Sequence, residues 1–547
     1  MRRRDFLRAA SYAGAFAVAR RLARAQNPEE VLRMKAPYRV LFSNDTTNIE
    51  TCGSPYHRRG EPFVPEMLEA TVDETADTGI EVHLLQPGVG VVPWWKSSVC
   101  PADEHYRWWQ ETYGAEPDGY GRYMLAGGDM VAVFVNRCRA RGLAPFVSLR
   151  LNDGHGKEFV NAAPGDKAPS WTGHCLSRFY HDHPEYRLGP NLADWNQRVL
   201  NWALPEVRDR QFAFIRELCE NYDLDGFELD FMRHVSYFRL DETTPAERAG
   251  TMTDFVRRVR ELLDRTARPG RHRWLCVRVP AHLAPHEGLG LDLPAFVRAG
   301  VEMVNASSYY FTIQQTDLAR LRELVPGAAL YLEVTHATSI GRVLTAGYDN
   351  FTFRRTTDEQ FHTAAHLAYW RGGDGVSAFN FVYYREHGTP GRGPFDEPPF
   401  HVFSHLGDPD WLARQPQHYI VGNVWDQPHV PGRPLPRKLE AGQTAQFRLD
   451  LAPRAGGWTA GGRLRIQTEQ PMGESRWTAR LNGLELAPTD DISEPYPNPY
   501  SALLGTPETL RAWTVPADLP RDGDNRAEMA LTEGGPATII LLDLALT

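Results

Sequence analysis

The strongest constraint on the fold of this chain is an alternation of eight short apolar runs with helical patterns between about residues 38 and 383. Runs of this length, bounded by turn residues, are typical of buried strands, and residues at helical spacing separate most of them. The eight runs are Tyr38–Ser43, Ile80–Gln86, Ala144–Leu151, Gly226–Met232, Trp274–Val279, Met303–Tyr310, Ala329–Thr335 and Gly375–Val382. This order predicts an α/β fold, a (β/α)8 TIM barrel with a parallel sheet.

An open doubly wound sheet is the alternative, because it also alternates strands with helices. Such a sheet would carry a glycine-rich phosphate loop after its first strand. Residues 43–47, which read SNDTT, offer no such loop. We therefore favour the barrel, and we predict no nicotinamide, flavin or other cofactor.

The pattern changes after about residue 405, where helical periodicity gives way to short alternating runs. Turns rich in Gly, Pro and Asp separate these runs, which is typical of a β-sandwich. A chain of 547 residues is long enough for more than one hydrophobic core. We expect residues 27–405 to form a catalytic barrel and residues 406–547 an accessory β-sandwich that either binds glycan or only buttresses the barrel.

The N-terminus has the features of an export signal. Residues 2–8, which read RRRDFLR, resemble the twin-arginine motif, and a weakly apolar run from Ala9 to Ala19 follows. Ala23 and Ala25 are small residues suited to cleavage, so residues 1–26 are set aside from the fold. The apolar run is too short to cross a bilayer as a helix. We expect export to the periplasm or the medium, without membrane insertion of the mature chain.

Charge and motif content argue against several classes of protein. A net charge of −9 disfavours a nucleic-acid partner, because phosphates require a basic surface. The six cysteines are scattered without a CxxC pair, which is typical of buried thiols rather than of a zinc site or a disulfide framework. The G-x-S-x-G elbow of serine hydrolases does not occur either.

The fourth run carries the clearest functional signal. Alternate side chains of a strand share one face, so Phe227, Leu229 and Phe231 point one way while Glu228 and Asp230 point the other. The apolar face suits packing against helices. Two carboxylates on the opposite face require a polar cavity, because their unpaired burial is expensive. The mouth of a barrel supplies such a cavity.

Polar residues also stand near the ends of other predicted strands, and these ends converge on one face of a barrel. Glu333 on the seventh strand adds a third carboxylate. The candidates for substrate binding are Asn152, His155, Arg233, Arg278, Tyr309 and Asn380 near strand ends, and Trp94 and Trp95 in the insertion after the second strand. Insertions of this length are uncommon unless they have a function.

Paired carboxylates of this kind suit the hydrolysis of a glycosidic bond in an oligo- or polysaccharide. One acid protonates the leaving oxygen, and the other, ionised, attacks the sugar or activates water. Asp230 is the first candidate, and either Glu228, about 6.6 Å along the same strand, or Glu333 complements it. Glu228 has a structural alternative, a salt bridge to Arg278 or Arg150. Arg233 and Arg278 are suited to holding a carboxylate ionised or to binding an acidic sugar.

Two resemblances agree with this prediction. Residues 225–234, which read DGFELDFMRH, resemble the fourth-strand motif of the α-amylase family, which implies a nucleophile at Asp230, although Glu228 stands where that family has an arginine. A wider resemblance is to secreted bacterial glycoside-hydrolase-like barrel proteins. It is carried by HPEYRLG at 183–189, LPEVRD at 204–209, YDLDGFELD at 222–230 and GDGVSAFN at 373–380. It implies a barrel and sugar chemistry without a defined substrate.

Two other functions remain open from the sequence. A metal-dependent hydrolase would draw its ligands from the insertion after the third strand, which contains His155, His174, His181, Asp182 and His183. A glycan-binding barrel without catalysis is the second alternative. The intact carboxylates argue against it, since a site that only binds has no need of them.

Overall fold

The computed structural model of the chain describes residues 35–52, 54, 61–89, 92–163, 168–341, 354–385, 396–423, 433–498 and 505–547. The segment predicted as an export signal lies outside these residues. Residues 36–547 form one unit by their internal contacts. Within the described residues, no helix is both long and apolar enough to cross a membrane.

Eight parallel strands close into a barrel in which β1 pairs with both β2 and β8, and all other neighbours follow the chain order. The strands are β1 (Val40–Ser43), β2 (Val82–Leu85), β3 (Ala144–Arg150), β4 (Gly226–Asp230), β5 (Trp274–Pro280), β6 (Met303–Ser307), β7 (Ala329–Thr335) and β8 (Gly375–Phe379). The predicted TIM barrel is confirmed, and each strand falls within one residue of, or inside, its predicted run.

Helices surround the barrel and occupy its insertions. They are α1 (Asn48–Thr51), α2 (Pro65–Asp73), α3 (Ala102–Tyr113), α4 (Gly119–Leu125), α5 (Met130–Ala140), α6 (Arg178–Asp182), α7 (Pro205–Asn221), α8 (Pro245–Thr266), α9 (His286–Leu289), α10 (Leu293–Ala299), α11 (Leu318–Leu324), α12 (Asp358–Trp370), α13 (Phe403–Leu406) and α14 (Pro409–Leu412). Thr357 and Gln360 form a capping box at the start of α12.

The alternation of side chains on β4 decides what faces the barrel interior. Phe227 and Leu229 are fully buried in the main apolar core between strands and helices, and burial of such a side chain stabilises the fold by about 1.5–3 kcal/mol. Glu228 and Asp230 take the opposite direction. Arg150 on β3 and Arg278 on β5 pair in register with Asp230, so their side chains share its level inside the barrel.

Antiparallel sheets follow the barrel, as predicted for the C-terminal part of the chain. One sheet contains β9, β10, β12, β15, β16 and β18, and a second contains β11, β13, β14 and β17. The strands are β9 (Gln417–Ile420), β10 (Arg437–Leu439), β11 (Gln443–Leu451), β12 (Gly462–Thr468), β13 (Arg476–Leu481), β14 (Leu484–Glu485), β15 (Ala487–Thr489), β16 (Leu510–Val515), β17 (Gly523–Glu533) and β18 (Ala537–Leu546). Buried side chains from both sheets form a second apolar core.

The sandwich contacts the barrel at the loops that follow β6 and β7. The Gln314 side chain donates to the carbonyl of His418 at 2.9 Å and accepts from the amide of Ile420 at 2.8 Å. The amide of Asn423 donates to the carbonyl of Ser339 at 3.2 Å. These backbone-directed bonds attach β9 and the residues after it to the end of the barrel where polar side chains gather.

The structure also contains two short β-ribbons and six cysteine thiols. Each ribbon pairs two strands of two residues, Gly88–Val89 with Val92–Pro93 and Ala337–Thr338 with Arg354–Arg355. The six cysteines are free thiols, all buried except Cys100, which is partly exposed. The prediction of buried thiols is therefore confirmed for five of the six cysteines.

Candidate active site

Arg278 on β5 joins two of the predicted catalytic carboxylates. Its Nη1 donates to both carboxylate oxygens of Asp230 on β4, at 3.2 Å each. Its Nε and Nη2 donate to Glu333 on β7 at 2.6 and 2.7 Å, the parallel two-bond geometry that guanidinium groups favour. The guanidinium also lies 4.4 Å from the centre of the Phe379 ring. The structure therefore brings together Asp230, Arg278 and Glu333 at the carboxyl ends of three strands.

Each carboxylate of this group has further donors. The backbone N–H of Met232 donates to Asp230 Oδ1 at 2.7 Å, and the hydroxyl of Ser307 donates to Glu333. Burial raises the pKa of Glu333, although Arg278 and Ser307 oppose that rise. Burial would lower the pKa of Arg278, but Glu333 and Asp230 raise it well above its ordinary value. Arg278 therefore stays charged between the two acids.

Glu228 lies one level deeper in the barrel than Asp230, two residues earlier on β4. Ser148 Oγ donates to its Oε1 at 2.7 Å, and Asn305 Nδ2 donates to its Oε2 at 3.2 Å. Burial, and then the charge of Asp230, raise the pKa of Glu228 to about 7. The salt bridge proposed from sequence as its alternative role does not form within hydrogen-bond distance, because Arg278 turns to Asp230 and Glu333 instead.

The raised pKa of Glu228 predicts a pH-dependent loss of stability. In the unfolded chain this carboxyl ionises near its ordinary pKa of 4.5, whereas in the folded protein it keeps its proton to about pH 7. The contribution of Glu228 to the free energy of unfolding is therefore greatest below pH 4.5 and falls by about 3 kcal/mol as pH rises to about 7. Glu228→Gln cannot ionise, so its free energy of unfolding should fall correspondingly less across this window. Urea denaturation at several pH values measures the difference, and parallel curves for the two proteins would contradict the assignment.

A second network occupies the ends of β1 and β3 and the loop after β4. Asp45 accepts hydrogen bonds from Arg150 Nη2, from Asn380 Nδ2 at 3.0 Å and from Arg233 Nη1 at 3.4 Å. Burial alone would raise the pKa of Asp45, but Arg233 and Arg150 lower it to about 2. Asn380 also accepts from the backbone N–H of Asp45 at 2.7 Å. Asn380 therefore positions Asp45, and two arginines keep it ionised.

His155 connects this network to the surface. Its Nδ1 lies 2.5 Å from Oδ1 of the buried Asp153, and its Nε2 lies 3.0 Å from Arg233 Nη2. Because Arg233 can only donate, Nε2 is the acceptor and the proton is assigned to Nδ1. Burial and the charge of Arg233 lower the pKa of His155 despite Asp153. The imidazole is thus neutral and is 30% exposed, so it can contact a ligand.

Two residues at strand ends adopt a backbone conformation that favours glycine. Tyr309 after β6 has φ of 61° and Asn380 after β8 has φ of 59°. This region costs a residue with a side chain about 1–3 kcal/mol, and such positions cluster at functional sites. The backbone N–H of Tyr309 donates to Ser307 Oγ at 3.1 Å, next to Glu333. The strain therefore lies at the same barrel end as the carboxylates.

Three residues predicted to bind substrate lie outside this group. The Asn152 side chain exchanges hydrogen bonds with Leu200 and donates to the carbonyl of Ser236, so it fixes loops. Trp94 is fully buried and stacks on Tyr120 with ring centres 4.5 Å apart. Trp95 donates from Nε1 to Glu217 on α7 at 3.2 Å. The two indoles pack the insertion after β2 against neighbouring helices.

The histidines of the metal alternative are dispersed. His181 and His183 each contact an adjacent acid, Asp182 at 2.8 Å and Glu185 at 2.9 Å. His174 is buried and pairs with Asp118 at 2.6 Å. Among the described residues, one trio has ligand atoms close enough for a metal ion, namely Asp153, His155 and His234.

The surroundings of this trio disfavour a divalent cation. Arg150 donates to Asp153 at 2.9 Å, and Arg233 occupies the free nitrogen of His155. The amide of Gly154 donates to His234 Nδ1 at 3.1 Å. A metal ion would have to displace these donors and lie beside two guanidinium groups, whose charge repels it. The residues therefore fit a hydrogen-bonded anion network better than a metal centre.

Two members of the site were missed in the sequence, Asp45 and Asp153. Asp45 stands two residues beyond β1 and Asp153 three beyond β3, so the rule that strand ends converge would have selected both. Their signal was weaker than that of Glu228 or Asp230, because neither falls on a strand with a clear alternation. Arg150, which bonds to both, ends β3.

No protein-family model matches the chain, and no curated protein matches it. Solved structures similar to it include glycosidases. α-L-Fucosidase isoenzyme 1 from Paenibacillus thiaminolyticus is 14% identical with a TM-score of 0.35, over 90% of this chain and 97% of that one. The endo-1,4-β-D-mannanase from Thermotoga petrophila is 10% identical with a TM-score of 0.36, over 65% and 90%. Values this low carry no argument about substrate.

Proposed function

We propose that the chain is a glycoside hydrolase in which Asp230 and Glu333 act on either side of a glycosidic bond. The observation that supports this best is that Arg278 donates hydrogen bonds to both carboxyl groups at the carboxyl ends of barrel strands. A carbohydrate substrate would enter at this end of the barrel, where active sites of TIM-barrel enzymes lie.

The environments of the two acids support different roles. Burial raises the pKa of Glu333, so it is suited to hold a proton for the leaving oxygen. Once Glu333 has given up that proton, the two N–H groups of Arg278 and the hydroxyl of Ser307 stabilise the resulting carboxylate. The Asp230 carboxylate accepts from the N–H groups of Met232 and Arg278, an arrangement that suits an ionised nucleophile or base. Glu228, a level below, is better suited to support the site than to touch the sugar.

The network around Asp45 would then orient the bound sugar rather than take part in cleavage of the glycosidic bond. Arg233 and His155 are partly exposed at the barrel end and are held by Asp45 and Asp153. Donors and acceptors held in this way can orient sugar hydroxyl groups without loss of side-chain entropy on binding.

The role of Glu333 can be tested by its dependence on the leaving group. Glu333→Gln keeps the shape but cannot donate the proton, so we expect kcat on unactivated oligosaccharides to fall by about 10²–10⁴-fold. Aryl glycosides with acidic phenols as leaving groups need little proton donation, so kcat of the variant on these substrates should fall much less. Equal losses on both substrate types would contradict the acid role. A panel of purified polysaccharides, assayed for reducing ends, identifies the substrate first.

Each of the two alternative functions has a specific test. A metal-dependent hydrolase at Asp153, His155 and His234 predicts bound metal by elemental analysis and loss of turnover with a chelator. A glycan-binding barrel predicts affinity for a polysaccharide without release of reducing ends.

We also propose that the protein is exported through the twin-arginine motif at residues 2–8. Replacement of Arg3 and Arg4 by lysine should retain the protein in the cytoplasm.

A further inference from the structure

An open cleft lies beside the barrel end, between the insertion after β3 and the loop after β4. Its volume is about 780 Å³, within the range of ligand sites in proteins. Residues that line this side cleft include Leu188, Pro190, Asn196, Ser236, Phe238 and Asp241. None of them belongs to the candidate active site described above.

The side cleft continues from the mouth of the barrel along two segments. The loop after β4 carries Arg233 and His234 at the mouth and then Ser236 along the cleft. On the facing segment, Trp195 precedes Asn196. The Trp195 indole is 45% exposed, lies edge-on to His155 with ring centres 5.2 Å apart, and stacks on His234 at 5.1 Å. An exposed indole thus stands where the mouth and the cleft meet.

Hydrogen bonds hold the two walls in place. Ser236 Oγ donates to Asn196 Oδ1 at 2.9 Å, which joins the loop after β4 to the insertion after β3. Arg239 Nε donates to the carbonyl of Leu188 at 2.9 Å, and its Nη2 donates to the carbonyl of Arg187 at 2.8 Å. A cleft built in this way needs little ordering when a ligand binds, which favours affinity.

The lining favours a neutral, polyhydroxylated chain. Pro190 and Leu188 offer apolar surface, while Asn196 and Ser236 offer hydrogen-bonding groups, the mixture typical of ligand sites. Arg187 and Arg239 also line the cleft, but Asp241 and Glu242 balance their charge, and Arg239 bonds to Glu242 at 3.1 Å. The cleft therefore has no excess of positive charge with which to select uronic or sulfated sugars.

We propose that the side cleft binds additional neutral sugar units of a glycan whose scissile bond lies over Asp230 and Glu333. The proposal rests on the proposed function and extends it, because it makes the substrate an extended neutral chain. The cleft would supply binding energy that a short substrate cannot use.

The test fills the cleft with an indole. Asp241 is exposed and lines the cleft, whereas its neighbour Leu240 is 44% exposed and does not. Asp241→Trp and Leu240→Trp are therefore matched variants. On manno-, xylo- and cello-oligosaccharides, we expect the ratio of kcat/KM for the hexasaccharide to that for the disaccharide to fall about tenfold in Asp241→Trp. That is the effect of about 1.4 kcal/mol of lost binding. Leu240→Trp should keep the ratio, and an unchanged ratio in both variants would overturn the proposal.

A binding measurement separates this proposal from the catalytic one. In Asp230→Asn, titration calorimetry with the same oligosaccharides should show tighter binding of the hexasaccharide, and the further change Asp241→Trp should remove that preference. This result would support the cleft even if the unaltered protein cleaved none of the sugars. Absence of any length-dependent affinity would overturn the cleft whether or not cleavage is found.

Discussion

Asp230→Asn is expected to lower kcat by about 10³–10⁴-fold on whichever glycan the protein cleaves, which corresponds to about 4–5.5 kcal/mol of lost barrier reduction. The amide keeps the size of the carboxylate and can still accept from Arg278 and from the backbone N–H of Met232. It cannot attack the sugar or activate water as an anion. Reducing-end assays at saturating substrate measure the loss, and circular dichroism should show an unchanged fold.

Asp225→Asn is the matched control for this variant. Asp225 directly precedes β4, at the opposite end of the barrel, where Arg139 and Arg271 bond to it. The same chemical change there should reduce stability but leave kcat within a factor of about two, because ion pairs at that end do not touch substrate. Unchanged turnover in Asp230→Asn, or an equal loss in Asp225→Asn, would remove Asp230 from the mechanism.

Arg278→Leu should destabilise the fold by about 3–5 kcal/mol, because it leaves two buried carboxyl groups without their shared cation. This is about a fifth or more of the roughly 5–15 kcal/mol by which a typical domain is stable. Denaturation in urea measures the free energy of unfolding at neutral pH. Arg278→Lys retains the charge but not the fork of N–H groups, so it should recover part of the loss and serve where the leucine variant does not fold.

Arg448→Leu supplies the comparison on the surface. Arg448 and Asp524 form an exposed pair on the second sheet of the sandwich, at 2.9 Å. Exposed pairs contribute about 0–1 kcal/mol, so this variant should unfold close to the original midpoint. If Arg278→Leu were equally mild, Arg278 would not hold the two acids together.

The barrel could be predicted from the sequence because its strands are short apolar runs with helical patterns between them, and both signals are local. The alternation on β4 likewise located Glu228 and Asp230 on the inner face. Which acid joins Asp230 could not be predicted, because this depends on the direction of the Arg278 side chain. That side chain crosses the barrel interior to β7, which is neither adjacent to β4 in the barrel nor close to it in sequence.

Trp94, Trp95 and Asn152 show where prediction from position in the chain fails, because their side chains contact the protein itself. Trp94 and Trp95 lie in an insertion at the expected face, but an insertion needs a core of its own, and large aromatic side chains supply it. Asn152 follows β3 as a ligand-binding residue would, yet its amide holds the backbone of Leu200. Position in the chain indicates which face of a barrel a residue lies near, and only its contacts decide between packing and recognition.

The hydrogen bonds from β9 and the residues after it to the loops after β6 and β7 make part of the barrel depend on the sandwich. Gln314 and Ser339 are fastened by the chain beyond residue 405, and they flank the strands that deliver Ser307 and Glu333. Replacement of the sandwich by another domain would remove these bonds and loosen the loops after β6 and β7. A fragment of the chain that ended near residue 405 would therefore lose the bonds that Gln314 and Ser339 make, so we expect it to be less stable than the chain that keeps the sandwich.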